Sequence, residues 1–180
     1  RRAAHERWWA EFWGRSWIRA WMAEGAEAAS ASPVPANAHP VCIGTDQKGG
    51  TKFAGELGRV SIFGKALTDA EVQALAKLDR QAPLEKGKEL LFSGTATGPI
   101  AGSAAWSFKD GLTVEAWAKP EKLPGGGARL VDKITPGQAD GFLLDTCPGN
   151  SLRFICGQTQ LGLRDGLPAG RWTHVAAVAD

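Results

Sequence analysis

Residues 141–157 read GFLLDTCPGNSLRFICG, two apolar runs divided by Pro148, Gly149 and Asn150. Turn formers between segments rich in Leu, Phe and Ile predict a β-hairpin, because Gly and Asn tolerate the backbone angles of a tight reversal. A two-residue turn at Gly149-Asn150 would pair Cys147 with Leu152 and Leu143 with Cys156. In that register Asp145 shares a face with Leu143, Cys147, Leu152, Phe154 and Cys156, an otherwise apolar set. A carboxylate so placed is either paired in the core or faces a groove, which makes Asp145 the candidate carbohydrate-binding residue. Arg129 and Arg153 are its candidate partners, although this register points Arg153 to the other face.

The same pattern extends outward. Strand-like runs recur at ELLFSG (89–94), LTVEAWAKP (112–120), ARLVDKI (128–134) and WTHVAAVAD (172–180), separated by LPGGG, TPGQADG and LPAG. Earlier, HPVCIGTD (39–46) and GELGRVSIFGKAL (55–67) read as strands. From Glu89 onward, regular strands without helices between them predict an all-β antiparallel sandwich or jelly roll. One short helix, TDAEVQALAKL (68–78), follows the earlier strands. Thr68 is its N-cap, Glu71 closes a capping box, and Val72, Leu75 and Leu78 fall on one face.

Residues 1–24 have a different spacing. Trp9, Trp13, Trp17 and Trp21 follow at i, i+4, with Trp8, Phe12 and His5 beside them, which predicts a Trp-rich α-helix. The aromatic arc covers about 220°, wider than the stripe of a surface helix, so burial against a neighbouring domain is expected rather than an exposed sugar platform. Residues 25–38, rich in Ala, Ser and Pro, read as a linker, and 79–88 (DRQAPLEKGK) as a surface connection.

At 180 residues the chain can bury one good core. Its 21 Lys and Arg against 19 Asp and Glu give +2 without a basic run, so electrostatics point to no nucleic acid. No apolar run reaches the roughly 18–20 residues of a membrane span. Cys42, Cys147 and Cys156 lack the spacing of a zinc site. In the hairpin above, Cys147 and Cys156 stand roughly 13 Å apart along the ribbon, so free thiols are expected in preference to a bridge.

The pieces GLTVEAWAKP, RLVDK, DGFLLDT to SLRF, and LPAGRWTHVAAVAD, in that order over residues 111–180, resemble the laminin-G-like, concanavalin A-like jelly rolls of bacterial extracellular proteins. Residues 39–77 resemble the end of the same domain type. The finish therefore precedes the start, and two arrangements are open: the end of one jelly roll followed by the beginning of the next, or one circularly permuted and truncated domain over 39–180. The second is favoured, with 39–78 as the family's C-terminal portion, 79–88 as the connection and 89–180 as its N-terminal portion. The segment WWAEFWGRSWI resembles, more loosely, a helix of bacterial glycoside-hydrolase-like proteins that precedes their catalytic domain.

These resemblances imply a non-catalytic module that binds polysaccharide beside a catalytic domain packed on the Trp-rich helix, in a secreted, periplasmic or cell-surface protein. A spacer without glycan binding, or an inserted part of a hydrolase, are the alternatives. Glycosidases need two carboxylates across a cleft, and Glu115 in LTVEAW stands alone. His174, between apolar neighbours, reads as a structural strand histidine, and Trp117 and Trp172 as packing residues. Calcium is the possible cofactor, held by turn carboxylates, with Asp46 in GTDQKGG and Asp140 in TPGQADG as candidates.

Overall fold

In the computed structural model, residues 17–22, 25–30, 34–78, 90–94, 98–101, 103–122, 127–148, 151–164 and 167–180 are described. The strands are β1 (Trp17–Met22), β2 (Gly25–Ser30), β3 (Cys42–Ile43), β4 (Gly55–Phe63), β5 (Leu90–Gly94), β6 (Gly98–Pro99), β7 (Leu112–Pro120), β8 (Arg129–Lys133), β9 (Phe142–Cys147), β10 (Ser151–Cys156), β11 (Thr159–Leu163) and β12 (Thr173–Ala179). They form two six-stranded sheets, ordered β2-β1-β12-β7-β4-β5 and β11-β10-β9-β8-β3-β6. Every pairing between these strands is antiparallel.

Alternation builds most of the interior, broken by irregularities at Leu57/Val60 of β4 and Arg129/Val131 of β8. On β7, Leu112, Val114, Ala116 and Ala118 enter the core, joined by Val175, Ala177 and Ala179 of β12 and by Leu57, Val60 and Ile62 of β4. The facing sheet contributes Leu130, Phe142, Leu144, Leu152, Phe154 and Cys156. Small Ala side chains opposite large Phe and Leu let the two layers interdigitate. Strands from residues 39–78 and from 89–180 alternate within the same two sheets: β4 lies between β7 and β5, and β3 between β8 and β6.

The helix α1 (Asp69–Lys77) has the expected capping box, with Thr68 Oγ1 accepting from Glu71 N and the Glu71 carboxylate accepting from Thr68 N. Hydrogen bonds from Thr68 and Lys65 pull Glu71 down to about 2. The helix lies on the outer face of the first sheet, where Val72 and Leu75 pack with Phe63, Leu67, Ala176 and Val178. Leu78 is the C-cap and is exposed, so the apolar face ends one turn earlier than its spacing suggested.

The N-terminal expectation is corrected over the described residues. Trp17–Met22 is a strand, not the end of a helix, and Gly25–Ser30 is a strand, not linker. β1 pairs with β12, Ile18 opposite Ala179 and Met22 opposite Val175, and β2 pairs with β1. The cause is tertiary: the free edge of β12 presents unpaired N–H and C=O groups, and Trp and Ile are residues that suit a sheet. Trp8, Trp9 and Trp13 lie outside the described residues, as does the 79–88 connection.

Two polar clips lock the turn between β8 and β9. Asn37 Nδ2 donates to Lys133 O at 3.0 Å and to Asp140 O at 2.6 Å. The buried Lys133 ammonium is held by oxygens of Asn37, His39 and Ala104, and its desolvation lowers its pKa. Gly141 sits at this junction: a Cβ there would lie 1.9 Å from Lys133 O and 2.5 Å from Asn37 Nδ2. Gly141→Ala is therefore expected to cost about 2–4 kcal/mol in urea unfolding, through displaced backbone and broken clips. A midpoint equal to the wild type would show that the clip is not tight.

Candidate functional site

The β9–β10 hairpin has a register one residue away from the two-residue turn. Cys147 pairs with Ser151, Asp145 with Arg153, Leu143 with Ile155 and Phe142 with Cys156. The connection thus contains three residues, 148–150. Since side chains alternate, this single step moves Asp145 from the face of Phe154 and Leu152 to the face of Arg153. Phe142, Leu144, Leu152, Phe154 and Cys156 belong to the core, and Asp145 does not.

On that outer face the rows run straight across the sheet. Arg129 of β8 is opposite Asp145 of β9, Asp145 opposite Arg153 of β10, and Arg153 opposite Gly162 of β11. Arg153 donates from Nε to Asp145 Oδ1 at 2.9 Å and from Nη2 to Oδ2 at 2.6 Å. Arg129 Nη1 donates to Asp145 Oδ2 from the other side. Arg129 Nε also lies 3.1 Å from Asp132 Oδ2, a charge contact without hydrogen-bond alignment. Asp132 Oδ1 in turn accepts from Gln47 Nε2 at 2.8 Å, and Gln47 also donates to Pro40 O.

Both sequence-derived partners of Asp145 are thus engaged at once, including the one that the two-residue turn pointed away. Asp145 is fully buried, while the side chains of Arg129 and Arg153 keep 15% and 26% of their exposure, so the carboxylate is sealed and the cations form its cover. Hydrogen bonding to Asp145 raises the Arg153 pKa. Beside Arg153 opens a groove of about 460 Å³ lined by Cys147, Ser151, Arg153, Gln160, Gly162 and Arg164, with Leu152 and Leu163 at its edge. β11, which forms one wall, passed unmarked in the sequence: it follows a two-residue turn at Gly157-Gln158, where Gly157 has φ +57°.

The other sheet carries a second polar cluster on its outer face. Glu115 accepts from Arg59 Nε at 2.8 Å and Ser61 Oγ at 2.6 Å, and His174 Nε2 lies 2.7 Å from its Oε2. Arg59 Nη2 also donates to Leu75 O at 2.7 Å, near the end of α1. Burial works against ionisation of Glu115, but the bonds from His174 and Arg59 outweigh it and hold the carboxyl below its usual value. Glu115 and Arg59 are 0% exposed and His174 3%, so no substrate reaches them. Trp117 stacks obliquely on His174 with ring centroids 5.3 Å apart.

Asp46 and Asp140 occupy separate turns and are consumed by local donors. Asp46 accepts from Lys48 N, Gly50 N and Thr51 Oγ1, and the Thr51 bond leads in lowering its pKa. Asp140 accepts from Thr135 N and Oγ1 and from Asn37. Among the described residues, no group of three or more His, Cys, Asp or Glu is placed to hold a metal ion. Cys42, Cys147 and Cys156 are free thiols. Burial raises Cys42 to about 11 and Cys156 to about 12, and Cys147 is half-buried in the groove wall. No helix of the described residues is long and apolar enough to cross a membrane.

Two antiparallel sheets packed face to face, one with a polar groove on its outer surface, define a lectin-like jelly roll. Residues 93–180 match the laminin G family model of the concanavalin A-like lectin/glucanases superfamily. The curated proteins and the solved structures yield no match. β3 and β4 precede the matched segment, yet share its sheets.

Two outcomes follow from the buried carboxylates. Asp145→Ala leaves Arg153 without its counter-charge and Arg129 with only its Asp132 contact, and is expected to cost about 3–5 kcal/mol, whereas Asp46→Ala, in an exposed turn, should cost about 1 kcal/mol or less. Chemical denaturation of both variants distinguishes the two environments. Because the folded pKa of Glu115 is depressed below 4.5, its stabilisation is complete above that pH and is lost as pH falls through the folded value. Glu115→Gln, weaker at pH 7, should therefore lose less further stability than the wild type between about pH 5 and about pH 3. Parallel acid profiles would contradict this linkage.

Proposed function

We propose that this chain is a non-catalytic glycan-binding module, and that the groove over β10 and β11 is its binding surface. The observation that carries this reading is Arg153: bidentate to a buried Asp145, it is held rigid at the groove wall with part of its surface open. A side chain fixed in this way loses little rotamer freedom on binding, which is the condition for using weak polar contacts to hold a hydroxylated ligand. Ser151 and Gln160 add a hydroxyl and an amide to the same wall. A module of a larger, secreted or periplasmic carbohydrate-active protein fits this role, and the strand order fits one permuted domain.

The non-catalytic part of the reading is supported by the state of the acidic residues. Asp145 and Glu115 are both buried and met by cationic donors, and among the described residues the groove lining contains no carboxylate to serve as acid or base. Asp46 and Asp140 are read as turn-forming residues, so binding is expected to be independent of calcium.

Retention of the full chain on insoluble or immobilised polysaccharides, with elution by one soluble competitor and no change on chelation with EDTA, is the expected result. A cooperatively folded sample that passes through every polymer unretarded would leave the spacer reading in its place.

A further inference from the structure

The groove lining is one-sided in chemistry. Among the described residues that line it, Arg153 and Arg164 are the cations, Ser151 and Gln160 the neutral polar groups, and none is a carboxylate or an aromatic ring. Neutral sugars are usually held by stacking their apolar faces on aromatic rings, and this wall offers none. Guanidinium groups instead match the paired oxygens of carboxylates and sulfates.

The geometry of Arg153 sharpens this. Nε and Nη2 face Asp145, so one edge of the fork is occupied. Nη1 makes no hydrogen bond among the described residues, which leaves the end of the guanidinium available. Among the described residues, Arg129 and Arg153 are balanced by Asp145 and Asp132, and Arg164, which is exposed, adds a further positive charge at the groove. Opposite Arg153 stands Gly162, where an added Cβ meets nothing within 4 Å. The absent side chain keeps the space over the guanidinium open.

We infer that the groove receives an acidic glycan, one whose sugar carries a uronate carboxylate or a sulfate ester. The oxyanion lies against the free end of Arg153 and against Arg164, with Gln160 and Ser151 on neighbouring hydroxyls. This rests on the glycan-binding reading above and narrows its ligand class.

The test measures affinity of the full chain for polygalacturonate, dextran sulfate, neutral dextran and xyloglucan, in the wild type and in three variants. Gly162→Asp places a carboxylate in open space beside Arg153, so melting is unchanged while acidic-polymer affinity falls about tenfold or more. Arg164→Gln weakens the same binding several-fold. Lys109→Gln, the same charge change at an exposed position outside the groove, leaves it unaltered. Selective retention on polygalacturonate assigns a uronate, and on dextran sulfate a sulfate ester. Equal loss in Lys109→Gln and Arg164→Gln would reduce the effect to overall charge and overturn the inference. Binding to dextran or xyloglucan without binding to either acidic polymer would overturn it too, while leaving the glycan-binding module intact; no binding to any polymer would remove both.

Discussion

A carboxylate removed from water must be met by donors, and at Asp145 that requirement organises a whole sheet. Arg129 reaches it from β8 and Arg153 from β10, so three strands are tied at one row. The tie continues through Asp132 and Gln47 to the segment before β3. A slip of either neighbouring strand by one residue would swing an arginine into the core and leave the carboxylate unpaired, so charge pairing and apolar packing enforce the same register. The groove inherits its shape from this row, because Arg153 stands where Asp145 holds it and Gly162 leaves the next position bare.

The two polar clusters differ in access, and access decides their roles. Around Glu115 every group is sealed, and Arg59 spends one donor on a carbonyl of α1, coupling the helix to the sheet beneath. That arrangement serves architecture. Around Asp145 the anion is sealed but the cations are partly open, so the same type of ion pair becomes a support for a surface. Burial of a charged pair is weak evidence for stability alone, and orientation of a half-open guanidinium is what this one adds.

Most of the sandwich could be read from alternation and turn residues. β7 spans the same nine residues in sequence and structure, and the Thr68 capping box needs only two side chains at fixed spacing. Asp145, Arg129 and Arg153 were recognisable as a set, since a carboxylate in an apolar stretch demands partners. The face they share was not, because Pro148-Gly149-Asn150 serves a two- or three-residue connection equally well, and the choice depends on packing of the hairpin in the whole sheet. β11 was missed since Gly157-Gln158 is a weak turn signal. At β1 the i, i+4 tryptophans Trp17 and Trp21 satisfy a helical wheel, while the open edge that pairs with this strand belongs to β12, about 150 residues later.

The pairing of β1 with β12 has a consequence for how the protein behaves among its own copies. β12 reads THVAAVA, uncharged apart from His174 and buried along nearly its whole length. Left as the border of the sheet, it would offer a straight, sticky template to any other strand, the usual starting point of edge-to-edge aggregation. β1 and β2 move that border outward to GAEAAS, which places Glu27 on the outermost strand. The hairpin therefore covers the apolar edge of β12, and trimming the chain to residues 93–180 would leave that edge unpaired.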